Sequence, residues 1–337
     1  MINNIALAGC GNVGTALLEI LHNKRSTLEE KYGFTFQVTM ITDLMKGTIA
    51  DPNGLDLAEV LRHIKEYGSF AKMKNTSGYF GELLNMSRAT MLAEATPTNL
   101  QTGEPGLTHI KTALAKGISV TTTNKGPLAV AFDELTTLGR DCGAKFRYEG
   151  VVMSGTPLIQ MVRSGMAGCT VQKVAGILNG TTNYMLTRME EGKSYAEALE
   201  EAKGRGYAEA DPSGDVDGWD AAVKVSIISD IFFSKHIPVG DIEREGISAV
   251  TAERIKKAKE SGCIIKLIAG VEQGENGVKA YVRPMEIPCS HPLSAIRGAT
   301  NAITVTTDNL GDVTLTGPGA GRKETGQALL TDLIAMA

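Results

Sequence analysis

Three glycines near the start of the chain constrain its fold more than any other feature. They form the pattern Gly9-x-Gly11-x-x-Gly14, which follows the strand-like residues 4–8 and precedes a helix-like stretch. The first glycine of such a pattern permits a tight turn, the second lets a pyrophosphate approach the backbone, and the third lets helix and strand pack closely. The helix that follows presents free N–H groups and a partial positive charge to phosphates. The pattern therefore predicts a dinucleotide-binding strand, turn and helix; a purely structural turn is the alternative.

Strand-like and helix-like segments alternate along the first half of the chain. Strand-like residues stand at 34–42 and 118–123, a further short element stands at 89–95, and helix-like residues run from 109 to 116. Alternation of this kind is typical of a parallel, doubly wound sheet. The sequence therefore predicts an α/β fold with an N-terminal, Rossmann-type dinucleotide-binding domain over residues 1–148, to which residues 321–337 are added.

Beyond residue 148 the segments become longer and more amphipathic. Helices are predicted at 183–191, 195–204, 218–233 and 252–261, and strands at 263–272, 278–284 and 303–309. The glycines at 317–321 read as a loop before a terminal helix. These segments predict a second, α+β domain over residues 149–320 for substrate binding and dimerisation, with its catalytic part at about 158–288. The total length of 337 residues suits two domains, at roughly one per 150 residues.

Charge and hydropathy exclude two classes of partner. The net charge is only −4, and no run of Lys or Arg is long enough to attract nucleic acid or an anionic membrane. No apolar run approaches the roughly 18 residues of a membrane span. The first residues also lack the basic region and cleavage site of a secretory signal. We therefore expect a cytoplasmic protein without nucleic-acid or membrane partners.

Neither the cysteines nor the acidic residues form a recognisable metal motif. The five cysteines are widely spaced and include no CxxC pair, so we expect buried free thiols and neither a disulfide framework nor a zinc site. A calcium loop that started at Asp211 would place Val216 where a glycine is required.

An acidic segment that ends in one lysine is the second informative feature. Residues 209–220 include five carboxylates, and Lys224 is the only ionisable residue between 221 and 229. Asp220 and Lys224 share a helix face, and Asp217 is expected to join them there. An ordinary surface ion pair is one interpretation. The apolar neighbours of Lys224 favour another, a buried lysine that donates and accepts a proton, with carboxylates that suit the ammonium group of an amino-acid substrate.

The residue that would bind the adenosine ribose is less clearly marked. Asp43, at the end of the second strand, lies beyond the spacing of about 20 residues that the dinucleotide motif predicts. Lys46 follows closely and could pair with a 2′-phosphate instead. The choice between NAD and NADP therefore stays open.

The order of these segments resembles the homoserine dehydrogenase family over nearly the whole chain. The most specific matches are residues 179–184 and the acidic segment that ends in Lys224; residues 9–14, 123–125, 149–157 and 317–321 match as well. The resemblance implies a reversible oxidoreductase that interconverts L-homoserine and L-aspartate 4-semialdehyde with NAD or NADP, in threonine and methionine biosynthesis. It also implies a homodimer, with contacts at residues 289–320 and around Ser154.

The resemblance further implies roles for particular residues. The catalytic residues are Lys224, as proton donor and acceptor, with Asp220 and Lys125. The substrate-binding residues are Glu209, Asp215, Tyr207, Gly180 and Thr181. The cofactor-binding residues are Gly9, Gly11, Asn12, Val13, Gly14, Thr96, Pro97, Lys125 and Gly321. A monovalent cation, Na⁺ or K⁺, would be held by Glu149, Val152, Ser154 and Thr156.

Two other functions remain open at this point. A regulatory module that binds the cofactor without catalysis would keep the glycines, but it has no need of Lys224, Asp220 and Lys125 together. A dehydrogenase for another amino acid or semialdehyde is the alternative among enzymes. One that oxidises an aldehyde through an acyl-enzyme needs a cysteine nucleophile, and no cysteine stands in a matching motif. Because the chain ends soon after Gly321, an ACT domain and threonine feedback through it are not expected.

Overall fold

The computed structural model describes residues 2–337, and the chain divides into two compact units. The first unit runs to Gly155 and includes Gly321–Ala337, and the second unit is Thr156–Ala320. The division falls after Gly155 and not after residue 148, because the intervening residues pack on the C-terminal helix. A Cβ on Gly155 would lie only 2.4 Å from the carbonyl oxygen of Glu324. The assignment of one unit to cofactor and the other to substrate stays a prediction.

The first unit contains a six-stranded sheet with the order β3-β2-β1-β4-β5-β6. Its strands are β1 Ile2–Ala8, β2 Thr35–Asp43, β3 Gly47–Ala50, β4 Met91–Glu94, β5 Ser119–Thr122 and β6 Phe146–Arg147. All neighbours are parallel except β3, which runs antiparallel to β2. The parallel sheet that the sequence predicts therefore carries one additional, antiparallel edge strand. A tight turn produces the hairpin: the carboxylate of Asp43 accepts the N–H groups of Met45 and Lys46, and Gly47 adopts a φ of 93°.

Helices cover both faces of this sheet. They are α1 Asn12–Asn23, α2 Arg25–Tyr32, α3 Leu57–Tyr67, α4 Phe80–Met86, α5 Gly106–Leu114, α6 Lys125–Asp141, α7 Gly150–Met153 and the C-terminal helix α14 Arg322–Met336. Successive residues of a strand point to opposite faces. Accordingly, Ile5 and Leu7 of β1 join a core with α1 and α14, whereas Ala6 and Ala8 join a second core with α5 and α6. This is the doubly wound arrangement that the sequence predicts.

The second unit contains another six-stranded sheet, with the order β12-β11-β7-β9-β10-β8. Its strands are β7 Val171–Ile177, β8 Glu243–Arg244, β9 Cys263–Gly274, β10 Gly277–Pro288, β11 Thr300–Thr307 and β12 Gly311–Pro318, and its helices are α8 Leu158–Gln160, α9 Gly180–Glu190, α10 Tyr195–Gly204, α11 Ser213–Val216, α12 Trp219–Phe233 and α13 Ala252–Glu260. A π-helical turn at Met161–Gly165 and 3₁₀ turns at Val239–Asp241 and Pro292–Ala295 complete it. The fold class, a Rossmann-type sheet with a second α+β part, is confirmed.

Three strands of the second unit were not predicted: β7, β12 and the two-residue β8, which pairs with β10. β7 carries polar residues at Gln172 and Lys173, and β12 includes Gly317, which the sequence placed in a loop. β7 and β12 both pair with β11, so cross-strand pairing overrides their weak local preference.

The expectation of buried thiols is wrong for four of the five cysteines. All five are free, but only Cys10 is buried; Cys142 and Cys289 are exposed, and Cys169 and Cys263 are half-buried. Cys142 follows α6 and Cys289 follows β10, positions at which the chain turns at the surface. Over residues 2–337 we find no helix that combines the length and the apolar character needed to cross a bilayer.

Candidate active site

The glycine turn of the first unit leaves free space beside the backbone of its middle glycine, Gly11. Gly9 adopts a φ of 89°, and a Cβ there would lie 2.4 Å from the carbonyl oxygen of Ala95. A Cβ on Gly14 would lie 2.1 Å from the carbonyl oxygen of Gly9, so α1 packs closely on the turn. A Cβ on Gly11, by contrast, would meet nothing within 4 Å. The three glycines therefore serve turn, approach and packing, and the start of α1, with Asn12 exposed and Val13 half-buried, fits a pyrophosphate.

The carboxylate of Asp43 is fixed beside this turn. Its Oδ2 accepts the N–H of Cys10 at 2.8 Å, and its Oδ1 accepts the N–H groups of Met45 at 3.0 Å and Lys46 at 2.9 Å. Burial alone would raise the pKa of Asp43, but these three bonds outweigh it and hold the pKa below its usual value. An ionised carboxylate therefore stands next to the dinucleotide pattern despite the unusual spacing in sequence.

The carboxyl ends of β4 and β5 bring three of the predicted cofactor residues together. Thr96 and Pro97 follow β4, and Lys125 is the first residue of α6 after β5. Asn124 caps α6 by accepting the N–H of Gly126 at 3.1 Å, and its Nδ2 donates to the carbonyl oxygens of Thr96 at 3.2 Å and Pro97 at 3.4 Å. Sequence reasoning assigned no role to Asn124, although an asparagine before a helix is a common N-cap signal.

The remaining residues implied for cofactor and cation lie near α14 or at the start of the second unit. Gly321 precedes α14 with a φ of 143°, and a Cβ there would lie 2.1 Å from Oε2 of Glu324. Glu149, Val152 and Ser154 are buried in the first unit, whereas Thr156 belongs to the second unit and donates to the carbonyl oxygen of Pro318 at 2.9 Å. Side chains of His, Cys, Asp and Glu form no metal-binding group of three within residues 2–337. The cation site, which would use backbone carbonyls, stays a prediction.

In the second unit, α12 buries the lysine that ends the acidic segment. Lys224 is 6% exposed, and every residue of α12 from Ala221 to Asp230 is buried. Its Nζ lies 2.8 Å from Oδ2 of Asp220 and donates to the carbonyl oxygen of Leu178 at 2.7 Å. The structure thus agrees with the buried-helix interpretation of this pair and not with the solvated one.

Asn179 joins this pair to a second carboxylate. Its Nδ2 donates to Oδ1 of Asp215 at 2.7 Å and to Oδ2 of Asp220 at 3.2 Å, and its Oδ1 caps α9 by accepting the N–H of Thr182 at 2.9 Å. Burial is the main cause that raises the pKa of Asp215, and the charge of Asp220 adds to it. Asn179, Asp215, Asp220 and Lys224 therefore form one cluster, called here the lysine cluster. Asn179 lies in the segment 179–184 that matches the family, but the resemblance implied no role for it.

The other predicted substrate residues surround the start of α9. The hydroxyl of Thr181 donates to the carbonyl oxygen of Tyr207 at 2.6 Å, and a Cβ on Gly180 would lie 2.6 Å from the carbonyl oxygen of Ala299. Tyr207 is 42% exposed, and Glu209 is exposed in the same loop. The lysine cluster therefore has exposed polar neighbours on the segment between α10 and α11.

Asp217 does not join the lysine cluster, so that expectation is wrong. It follows the last residue of α11, and the next residue, Gly218, adopts a φ of 81° that interrupts the helix before α12 begins. The carbonyl group of Asp217 accepts a hydrogen bond from Arg244 instead. Asp217 and Asp220 are three residues apart, but they do not lie on the same helix, so the spacing rule for one helix face does not apply to them.

One chain thus combines an open glycine turn at the start of a helix with a buried lysine that is paired with Asp220 and hydrogen-bonded to the carbonyl oxygen of Leu178. These are the features of a nicotinamide-dependent dehydrogenase. The family model for homoserine dehydrogenase matches residues 157–334. An NAD(+)-dependent homoserine dehydrogenase of Pseudomonas canavaninivorans is 40% identical over 98% of this chain and 95% of the relative. A homoserine dehydrogenase of Methanocaldococcus jannaschii is 36% identical over 98% of this chain and 97% of the relative.

Solved structures agree with these matches. A hyperthermophilic archaeal homoserine dehydrogenase in complex with NADPH matches with a TM-score of 0.84 and 32% identity, over 100% of this chain and 98% of that one. The chain belongs to the homoserine dehydrogenase family, whose members are NAD(P)-dependent oxidoreductases. The family resemblance drawn from the sequence is confirmed.

Proposed function

We propose that this chain oxidises L-homoserine to L-aspartate 4-semialdehyde reversibly with NAD(P), and that Lys224 exchanges the hydroxyl proton. The observation that carries the proposal is the buried Nζ of Lys224, 2.8 Å from Asp220 and 2.7 Å from the carbonyl oxygen of Leu178. A lysine held in this way by two acceptors has a fixed direction for its N–H groups. The reaction is a step in the formation of threonine and methionine.

The nicotinamide, when bound, supplies the acceptor for the hydride of the carbinol carbon. In that direction Lys224, as the neutral amine, takes the hydroxyl proton of the substrate, and in the reverse direction its ammonium form returns the proton to the carbonyl oxygen. Asp220 orients Nζ and stabilises its positive charge. Lys125, at the start of α6, orients the reacting oxygen, so that charge developing on this oxygen meets an ammonium group.

The carboxylates of the second unit bind the ammonium group of the substrate. Asp215 is held by Asn179 at 2.7 Å, and Glu209 is exposed on the segment between α10 and α11. Gly180 and Thr181 provide backbone at the N-terminus of α9, where the helix end favours a carboxylate. An amino acid with both charged groups therefore finds a complementary partner for each.

The experiment that tests the function follows nicotinamide absorbance with L-homoserine and with each of NAD and NADP. The expected result is substrate-dependent reduction of the cofactor, and formation of homoserine from L-aspartate 4-semialdehyde in reverse. Folded protein that reduces neither cofactor would contradict the proposal and would favour the non-catalytic binding module.

We also infer that NAD is preferred over NADP. The ionised carboxylate of Asp43, anchored to the N–H of Cys10, suits the two ribose hydroxyls and repels a 2′-phosphate. The relative from Pseudomonas canavaninivorans is named as NAD(+)-dependent, while the archaeal relative was solved with NADPH. The ratio of kcat/KM for NAD to that for NADP should exceed about tenfold, the factor that roughly 1.4 kcal/mol represents. Asp43→Ser should reduce this ratio mainly by improving NADP; an unchanged ratio would contradict the inference.

A cytoplasmic homodimer with contacts at residues 289–320 and around Ser154 completes the proposal. β12 is an edge strand within this range, and Leu310 beside it is 53% exposed. Edge strands with exposed apolar residues favour association with another chain. Sedimentation equilibrium should give twice the mass of the chain, and a monomer at micromolar concentration would contradict the dimer.

A further inference from the structure

Glu94 is a buried carboxyl group that none of the proposed roles uses. It is the last residue of β4, lies opposite Ala8 of β1 and Thr122 of β5, and is fully buried. The strand order of the sheet reverses between β1 and β4. In open α/β sheets the ligand crevice forms at the carboxyl ends of the strands at such a reversal. Glu94 therefore lies at the base of the expected cofactor crevice.

The recorded partners of Glu94 are neutral hydrogen-bond donors. Its Oε1 accepts the N–H of Thr96 at 2.8 Å and also the Thr96 hydroxyl, and its Oε2 accepts the Thr122 hydroxyl at 2.6 Å. The Thr122 hydroxyl accepts the N–H of Asn124 at 3.0 Å, so its single proton is directed at Glu94. Burial raises the pKa of Glu94, and the donors oppose this rise. Both oxygens of the carboxyl group are thus required as acceptors.

These bonds close a ring. Asn124, which accepts the N–H of Gly126 at the start of α6, donates back to the carbonyl oxygen of Thr96 at 3.2 Å. We call Glu94, Thr96, Thr122 and Asn124 the Glu94 ring. The Glu94 ring holds two segments of the chain: Thr96-Pro97, and the start of α6, which includes Lys125. Removal of one member would let both segments shift, because each is held through the others.

We propose that Glu94 is a positioning residue for the nicotinamide end of the cofactor: its carboxylate holds Thr96-Pro97 and the start of α6 in the arrangement that receives that end. This inference rests on the proposed function and on the cofactor-binding roles that the family resemblance implies for Thr96, Pro97 and Lys125. Glu94 acts through these residues and touches neither cofactor nor substrate. The adenosine ribose is expected to bind at Asp43, at the end of β2. Changes in the Glu94 ring should therefore weaken the binding of the nicotinamide end and leave that of the adenosine end nearly unchanged.

Glu94→Gln tests the inference with little change in shape. The glutamine replaces one acceptor oxygen with an NH₂ group, which then faces a hydroxyl or N–H donor. Calorimetric titration with NADH should give a Kd about tenfold higher than that of the unaltered protein, the loss expected for one charge-assisted hydrogen bond. ADP-ribose, which lacks the nicotinamide, should bind within about twofold of the unaltered value. This difference between the two ligands is not expected from a purely structural defect.

Two neighbouring threonines give a matched pair of controls. Thr122→Val removes the donor to Glu94, whereas Thr121→Val removes an equally buried donor to Oδ2 of Asp332 at 2.8 Å on the other face of β5. Thr122→Val should repeat the selective loss of NADH affinity, and Thr121→Val should lower thermal stability without that selectivity. If Glu94→Gln does not fold, the comparison of NADH and ADP-ribose binding by Thr122→Val decides whether the positioning role holds.

The outcomes separate this inference from the proposed function. Unchanged NADH affinity in Glu94→Gln and Thr122→Val, or an equal loss of affinity for NADH and ADP-ribose, overturns the positioning role. Failure of the unaltered protein to bind NADH or to oxidise homoserine overturns the proposed function instead.

Discussion

A double-mutant cycle on Asp220 and Lys224 tests whether their ion pair is truly withdrawn from water. The two side chains are 22% and 8% exposed, so solvent screens their attraction only partly. Lys224→Met removes two short bonds, to Asp220 and to the carbonyl oxygen of Leu178, and should lower the free energy of unfolding by about 1.5–3 kcal/mol. Asp220→Asn leaves the ammonium group buried without its charged partner and should cost about 3 kcal/mol.

The coupling between the two changes is the decisive quantity. Because each single change already destroys the same contact, the double variant should lose about 1–3 kcal/mol less than the sum of the single losses. Trp219 is the only tryptophan of the chain and begins α12, so its fluorescence reports the unfolding of the relevant unit in urea.

A surface pair supplies the comparison. Lys256 and Glu260 have the same i,i+4 spacing on α13, but their side chains are 80% and 67% exposed at a distance of 4.0 Å. No measurable coupling is expected there. If the Asp220–Lys224 pair shows equally little coupling, it is a solvated surface pair in solution, and the reasoning that gives Lys224 its role is refuted.

Further predictions concern the glycine turn and the cysteines. Gly11→Ala should change the free energy of unfolding by less than about 1 kcal/mol, because its Cβ would enter open space. It should weaken NADH binding, since that space is where the phosphates would lie. An unchanged Kd for NADH would contradict this. Gly14→Ala, unlike Gly11→Ala, should also lower stability, since its Cβ would lie 2.1 Å from the carbonyl oxygen of Gly9. Thermal denaturation measures this loss. Burial raises the pKa of Cys10 to about 11, so at neutral pH a thiol reagent should modify the exposed Cys142 and Cys289 rapidly and Cys10 only on unfolding. Rapid labelling of Cys10, located by mass spectrometry, would show that the turn opens readily.

Features that depend on local sequence were predictable. The pattern Gly9-x-Gly11-x-x-Gly14 determines its own turn, since backbone freedom and close packing are properties of those residues. The Asp220–Lys224 pair follows from helical spacing within a single helix. The family resemblance then supplied the reaction, which composition and spacing alone left open.

Other features depend on contacts between distant parts of the chain. Asn179 reaches Asp215, and Thr122 reaches Glu94, across many residues of intervening chain, and no spacing rule predicts such bonds. The start of α6 was missed for a different reason. Gly126-Pro127 reads as the end of a strand, whereas the structure uses the proline in the first turn of a helix that Asn124 caps.

The rate of hydride transfer in a Lys224→Met variant tests the central claim most directly. Rapid mixing of the NAD-loaded protein with saturating L-homoserine measures this step apart from product release. If Lys224 exchanges the hydroxyl proton, the rate should be about 10²–10⁴-fold below that of the unaltered protein, with the Kd for NAD unchanged. A rate close to the unaltered value would contradict this role of Lys224.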